Sequence, residues 1–166
     1  YMETKEQYKD CILFYRLGDF YEMFFDDALT VTKELDITLT GKNCGLEERA
    51  PMCGVPYHAV EGYLTKLVQK GYKVAICEQM EDPATAKGLV KRDVVRIVTP
   101  GTNLDTQALD ETKNNYIMCI AYASDHYGVS VADVSTGEYM VTEIENSEKL
   151  FDEIYKFMPS ELICNE

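Results

Sequence analysis

The spacing of apolar positions changes several times along this chain, and each change marks an element. Residues 2–10 are polar and rich in helix formers, which predicts a short opening helix. Ile12-Leu13-Phe14-Tyr15 is an apolar run that predicts a buried strand. Gly18-Asp19 interrupts it, and Asp19 is a favoured N-cap for a helix from Phe20 to about Leu35. Asp36-Ile37-Thr38-Leu39-Thr40 alternates and is β-branched, so a strand with one wet face follows. Residues 41–45 read as a turn and 46–49 as a polar loop. Ala50 to Pro56 lacks a period and carries Pro51, Gly54 and Pro56, which predicts an ordered loop beside the sheet. From Tyr57 a helix starts in which Val60, Leu64, Leu67 and Val68 recur at helical spacing, and Gly71 is its natural stop. Lys73 to Met80 predicts a third strand, Asp82-Pro83 a turn, 84–88 a connection, and Leu89 to Thr99 a longer strand carrying Lys91, Arg92 and Arg96. Strands interleaved with helices make residues 1–100 an α/β unit on a mixed sheet.

After Pro100-Gly101 the pattern weakens, and residues 101–114 read as a linker. Three strands follow at 116–123, 127–134 and 138–144, joined by the short polar turns Asp125-His126 and Ser135-Thr136-Gly137, which predicts an antiparallel meander. Ser147 is placed to cap a helix bearing Leu150, Ile154 and Phe157, stopped by Pro159, and Leu162-Ile163-Cys164 reads as a returning strand. This second domain, 115–166, reads as the beginning of a ribonuclease-H-like sheet. The first residue is Tyr1 rather than Met, so the sequence reads as a piece of a longer chain without a signal peptide.

Composition narrows the function classes. No apolar run approaches the ~18 residues of a membrane span. The six cysteines (11, 44, 53, 77, 119 and 164) include no CxxC pair, and there are only two histidines. Zinc sites and dithiol redox motifs are therefore disfavoured, and free thiols in a reducing, cytoplasmic setting are expected. The net charge of −13 opposes broad attraction to nucleic acid. Its distribution matters more: residues 1–100 hold 13 Lys/Arg against 16 Asp/Glu, and residues 101–166 hold 3 against 13. A nucleic-acid surface, if present, belongs to the first domain.

The candidate chemistry lies in Phe20-Tyr21-Glu22-Met23-Phe24-Phe25. Four aromatic rings within one and a half helical turns cannot share one apolar stripe. With Phe24 and Phe25 packed beside the strand, Phe20 is left pointing outward with the Glu22 carboxyl close by. Such a ring can stack on a base while the acid bonds its edge; equally, Phe20 can be a core ring and Glu22 an acid favoured by a helix dipole. Arg16, Lys42, Arg92 and Arg96 are candidate phosphate contacts, or solvated surface charges. Met52 can pack against sugars or fill a gap in the core. Tyr57 is a core ring or a rim contact, and His58 a helix-start residue. Asp19, Glu22, Asp26, Asp27 and Asp36 also allow a metal-dependent nuclease, although no lysine follows at a fitting spacing. The acidic second domain also allows a pure protein-interaction module.

Several stretches together are specific: Gly18-Asp19-Phe20-Tyr21-Glu22, Pro51-Met52-Cys53-Gly54-Val55-Pro56-Tyr57-His58-Ala59-Val60-Glu61, Val74-Ala75-Ile76-Cys77-Glu78-Gln79, Asp82-Pro83-Ala84-Thr85, and 94–102. In this order they resemble the mismatch-recognition domain of the MutS family of DNA mismatch-repair sensors, and 115–166 resembles the start of that family's connector domain. The resemblance implies that the ligand is mismatched double-stranded DNA. Phe20 would enter from the minor groove, stack on a mispaired or unpaired base and kink the duplex, while Glu22 would hydrogen-bond the displaced base, in its protonated form where the base offers an acceptor. It also implies a homodimeric whole protein, downstream MutL-type partners reached through the connector, and an ATPase domain using ATP and Mg²⁺ elsewhere in the protein. This sequence has no Gly-x-x-x-x-Gly-Lys-Ser/Thr, so neither a catalytic residue nor a cofactor is expected within it.

Overall fold

The computed structural model describes residues 1–45, 47–81, 86, 88–103 and 114–165. It divides into two compact units, Tyr1–Thr99 and Pro100–Glu166. The turn expected at Asp82-Pro83, and most of the linker expected over 101–114, lie outside the described residues.

The first unit runs α1 (Met2–Gln7), β1 (Ile12–Leu17), β2 (Phe20–Phe24), α2 (Phe25–Leu35), β3 (Thr40–Lys42), β4 (Ala50–Pro56), a 3₁₀ turn (Tyr57–Ala59), α3 (Val60–Gln69), β5 (Val74–Gln79) and β6 (Arg92–Val98). The strand order is β3-β4-β2-β1-β5-β6, and only β1 and β5 run parallel. Ile12, Leu13 and Phe14 are all buried because β1 is central and covered on both faces. One face carries the main core, where Phe14, Tyr21, Met23, Cys53, Val55 and Ile76 meet Ala28 and Val31 of α2 and Leu64, Leu67 and Val68 of α3. On the other face Tyr1 and Tyr8 pack over Cys11, Leu13, Ala75 and Cys77. This N-terminal layer is fastened by the buried Asp27, whose carboxylate accepts from the Tyr1 hydroxyl at 2.7 Å, the Lys5 ammonium at 2.9 Å and the Leu13 amide at 3.0 Å. Burial and the Asp27 charge push the Tyr1 phenol well up, so it stays a neutral donor.

Four expectations are corrected here. Phe20–Phe24 is a strand, not the first turn of a helix: Leu17 pairs with Phe20 and Tyr15 with Glu22, so Gly18-Asp19 is a two-residue hairpin turn and Asp19 caps nothing. Gly18 takes φ 60, a left-handed conformation that glycine adopts freely. The helix begins only at Phe25, where the abrupt change from strand to helix is absorbed at φ 53. Second, Asp36 does not open a strand but closes α2 in the left-handed conformation, and the next strand is the short β3. Third, Ala50–Pro56 is a strand rather than a loop. Its two prolines fit because Pro51 pairs with β3 alone and Pro56 with β2 alone, leaving one side of each without a ladder. Fourth, Asn146, not Ser147, caps the helix of the second unit by accepting from the Lys149 amide at 3.0 Å.

The second unit is β7 (Tyr116–Ala123), β8 (His126–Asp133), β9 (Glu138–Ile144), α4 (Ser147–Phe157) and β10 (Glu161–Cys164). The expected meander is present, and β10 returns parallel to β7, giving the order β10-β7-β8-β9. Leu150, Ile154 and Phe157 of α4 close the core over Met118, Ile120, Val129, Val131 and Ile144. All six cysteines are free thiols. Burial pushes the Cys53 thiol up to about 12 and the Cys77 thiol to about 11, so both act as small hydrophobes.

Candidate nucleic-acid interface

Alternation along β2 decides which side chains reach the surface. Tyr21 and Met23 point into the core, so Phe20, Glu22 and Phe24 occupy the opposite face. Phe24 is buried under the Tyr1 ring, 5.0 Å away edge-on. Phe20, at the hairpin tip, remains 46% exposed, whereas the next ring, Tyr21, is buried. Residues directly opposite in an antiparallel pair share a face, so Pro56, Gly54 and Met52 of β4 lie beside Phe20, Glu22 and Phe24 respectively. Thr40 and Lys42 of β3 continue the same face through their pairing with Met52 and Ala50.

This face is polar at one point and bare at another. The Lys42 ammonium sits 2.5 Å from the Glu22 carboxylate, and the Lys42 side chain is 41% exposed against 16% for Glu22. Opposite Glu22, Gly54 leaves a gap: a Cβ there would meet the Tyr21 carbonyl oxygen at 3.4 Å and Glu22 Cγ and Phe20 Cδ1 at 3.7 Å. The surface therefore combines an exposed ring, a hydrogen-bonding acid and a side-chain-free floor, which can admit a flat aromatic ligand edge-on beside Phe20.

The five supporting candidates separate. Lys42 and Met52 lie on the Phe20 face. Arg96 does not: it pairs with Ile76, a core residue, and reaches Glu61 of α3 at 3.5 Å on the helix-covered face. Arg16 and Arg92 turn inward. The Arg16 guanidinium stacks 3.9 Å from the Tyr57 ring centroid and 5.5 Å from that of Tyr21, pairs with Glu78 at 3.6 Å, and donates to the Gly18 carbonyl. Arg92 donates to the carbonyls of Arg16 at 2.8 Å and Val90 at 2.9 Å, and its guanidinium lies 5.3 Å from the Tyr15 ring centroid. Tyr57 is thus a half-exposed partner of Arg16. Burial and Glu78, which accepts from the Tyr21 hydroxyl, push that phenol up to about 12. Sequence reasoning missed Gln79, whose side-chain oxygen accepts from the Gly18 amide at 3.0 Å. No local signal marks a glutamine as the partner of a turn 61 residues away.

Of the acids considered for a nuclease, two are engaged elsewhere and one is a helix end. Asp27 is buried with Lys5 and Tyr1, Glu22 is paired with Lys42, and Asp36 ends α2. Among the described residues no three His, Cys, Asp or Glu side chains are grouped to hold a metal. Nor is any described helix long and apolar enough to cross a membrane.

Comparison with known proteins assigns both units. The family model described as MutS domain I matches residues 1–107, and that described as MutS domain II matches residues 115–166. The chain is 72% identical over 165 residues to the DNA mismatch repair protein MutS of Lachnoclostridium phytofermentans, covering 99% of this chain and 18% of that protein. It is 64% identical over 168 residues to the protein of the same name from Acetivibrio thermocellus, and 61% identical over 168 residues to that from Ruminiclostridium cellulolyticum, each match covering 99% of this chain and 19% of the relative. The chain thus spans about a fifth of the length of these relatives.

Proposed function

The chain belongs to the MutS family of DNA mismatch repair proteins, and from that premise we propose that residues 1–99 read mispaired or unpaired bases in duplex DNA through the face that carries Phe20 and Glu22. The observation that carries the reading is the placement of Phe20, a half-exposed ring at the tip of a hairpin, on a sheet face whose opposite side is covered by α2 and α3. The ring enters the minor groove and stacks on the defective base. Wedging it between base steps costs a few kcal/mol of unstacking, which is smaller where pairing is already broken, so ease of deformation supplies much of the discrimination.

Glu22 lies on the same face two residues on and bonds the edge of the displaced base. In the free protein Lys42 compensates its charge; on binding, Lys42 is free to turn to a phosphate while Glu22 turns to the base. Glu22→Gln is expected to keep or strengthen binding while reducing the preference for defects; uniform weakening on every duplex would contradict this role. Met52, on the same face, packs against sugars of the groove. The acidic second unit serves as the connector, a surface for protein partners such as MutL-type repair factors, and the whole protein works as a homodimer. ATP and Mg²⁺ belong to the regions of the relatives that this chain does not span.

The deciding experiment is fluorescence anisotropy on a G·T or single-base-bulge duplex against its perfect match at low salt, with Phe20→Ala alongside. Wild-type preference for the defect that the variant loses supports Phe20 as the reading ring. Equal preference by both proteins would sink it.

A further inference from the structure

A two-residue turn presents four backbone polar groups, and in most hairpins those pointing outward bond to water. Here three of the four at Gly18-Asp19 are bonded within the protein, two of them to residues outside the hairpin. The Gly18 amide donates to the Gln79 side-chain oxygen at 3.0 Å, the Gly18 carbonyl accepts from Arg16 Nε, and the Asp19 carbonyl accepts from the Tyr57 amide at 3.0 Å. The Gln79 oxygen also accepts from Arg92 Nη2 at 3.4 Å, and Arg92 Nε holds the Arg16 carbonyl. The Arg16 guanidinium is in turn fixed between the Tyr57 ring and Glu78. Strand β5 through Gln79, β6 through Arg92 and the 3₁₀ turn through Tyr57 therefore converge on the β1–β2 hairpin that carries Phe20.

We propose that Gln79, with Arg16 and Arg92, is a positioning brace that fixes the Gly18-Asp19 turn, and through it Phe20, in its working orientation before DNA arrives. The inference rests on the reading of Phe20 as the stacking ring. A wedge that must separate adjacent base pairs has to resist recoil, and ordering a loose hairpin on binding would subtract from affinity. The brace supplies that order in advance. It also explains why two arginines near the motif face inward: their donors hold protein carbonyls rather than phosphates.

The test is hydrogen–deuterium exchange by mass spectrometry on the full-length polypeptide, resolving the peptide around Gly18–Phe20, paired with the anisotropy ratio for defect over perfect duplex. Gln79→Met removes the acceptor and keeps the volume. It is expected to speed exchange at the hairpin about fivefold, as loss of one ordinary hydrogen bond does, with Leu13–Tyr15 in β1 unchanged. The preference for defects should fall by a similar factor. Gln79→Glu keeps an acceptor for the Gly18 amide and for Arg92, and should hold both readouts near wild type. Arg16→Lys keeps a charge for Glu78 but loses the planar stack on Tyr57, and should loosen the hairpin as Gln79→Met does. Unchanged hairpin exchange in Gln79→Met, or an increase spread evenly over the sheet, overturns the brace. Faster exchange confined to the hairpin with an unaltered preference would uphold the brace and instead remove Phe20 from the reading of DNA.

Discussion

Among the described residues two hairpins turn in two residues, and they are held in opposite ways. Ser124-Asp125, between β7 and β8, closes within itself: His126 Nδ1 lies 2.9 Å from the Ser124 carbonyl oxygen, and the Tyr122 hydroxyl donates to Asp125 at 3.1 Å. Gly18-Asp19 is held by Gln79 and Tyr57, far along the chain, and by Arg16. A turn that only joins two strands needs nothing beyond its own strands. On the proposed reading the Gly18-Asp19 turn presents a ring to DNA at a set angle, and its ties to the rest of the sheet suit that role, because a tip bonded only to itself is among the first regions of a fold to open.

The largest contrast should come from the rings themselves. Phe20→Ala is expected to lower the preference for a defective duplex by about 5- to 150-fold, the range of about 1–3 kcal/mol that one base–aromatic stack contributes. Melting should move little, since the ring is half exposed and packs against few groups that a smaller residue would orphan. Tyr122→Ala, beside the second turn, should leave DNA preference unchanged; a loss there would erase the distinction between the two hairpins.

Gly54 sharpens the same point from across the strand. Its backbone is not in the left-handed region, and an added Cβ makes only ordinary contacts, so Gly54→Val should fold with unaltered melting. The valine would fill the bare floor between Phe20 and Glu22, and binding to defects should fall about tenfold, the scale of an intrusive methyl group in a recognition site. Lost binding together with a lowered melting point would mean that this face is packed in the whole protein rather than open.

Much of the second unit was legible, and the reason is physical. In β7 and β8 the buried Met118, Ile120, Val129 and Val131 alternate with partly or fully exposed residues, because one face meets α4. Phe20–Phe24 hides its strand because it has apolar residues on both faces: Tyr21 and Met23 for the core, Phe24 under Tyr1, and Phe20 exposed. The true N-cap position is Phe24, which offers no side-chain oxygen, whereas Asp19 looked like a cap and is a turn residue. The ring and acid were visible in the sequence as a pair. What stayed hidden was the long-range contribution, Gln79 under the turn and Arg96 on the far face, because strand pairing between distant segments has no local signature.

Backbone conformation separates the turns further. Gly18→Ala should destabilise the first unit by about 1 kcal/mol, since alanine is strained at φ 60. It should also reduce defect preference by tilting Phe20. Urea unfolding alongside the anisotropy ratio reads both effects, and an unchanged midpoint would mean that the turn has room to relax.

Acid should act on the second unit through one carboxylate. In the first hairpin the Gly18 amide and carbonyl are held by the Gln79 oxygen and the Arg16 guanidinium. In the second unit Asp133 accepts from the amides of Asn115, Ser135 and Thr136 and from the Ser135 hydroxyl. Burial alone would raise this carboxyl, but the hydrogen bonds outweigh it and hold it below the usual carboxylate range. A lowered folded-state pKa contributes stability that is present above the unfolded value near 3.9 and is lost as pH falls from there through the folded value. Thermal midpoints of the second unit should therefore drop below about pH 4, and Asp133→Asn should flatten that drop.

The smallest effect is the reverse substitution at the other turn. Ser124 and Asp125 take φ 52 and 63, so two L-residues with side chains occupy the left-handed region where Gly18 stands in the first hairpin. Ser124→Gly removes that strain, and because the Tyr122–Asp125 bond is untouched it should raise stability by roughly 0.5 kcal/mol despite the added freedom of the unfolded chain. The gain should appear in urea midpoints and leave the anisotropy ratio at its wild-type value. If Ser124→Gly also shifted defect preference, the locally bonded Ser124-Asp125 turn would be coupled to DNA reading after all, and the contrast between a turn that joins strands and a turn proposed to aim a ring would no longer hold.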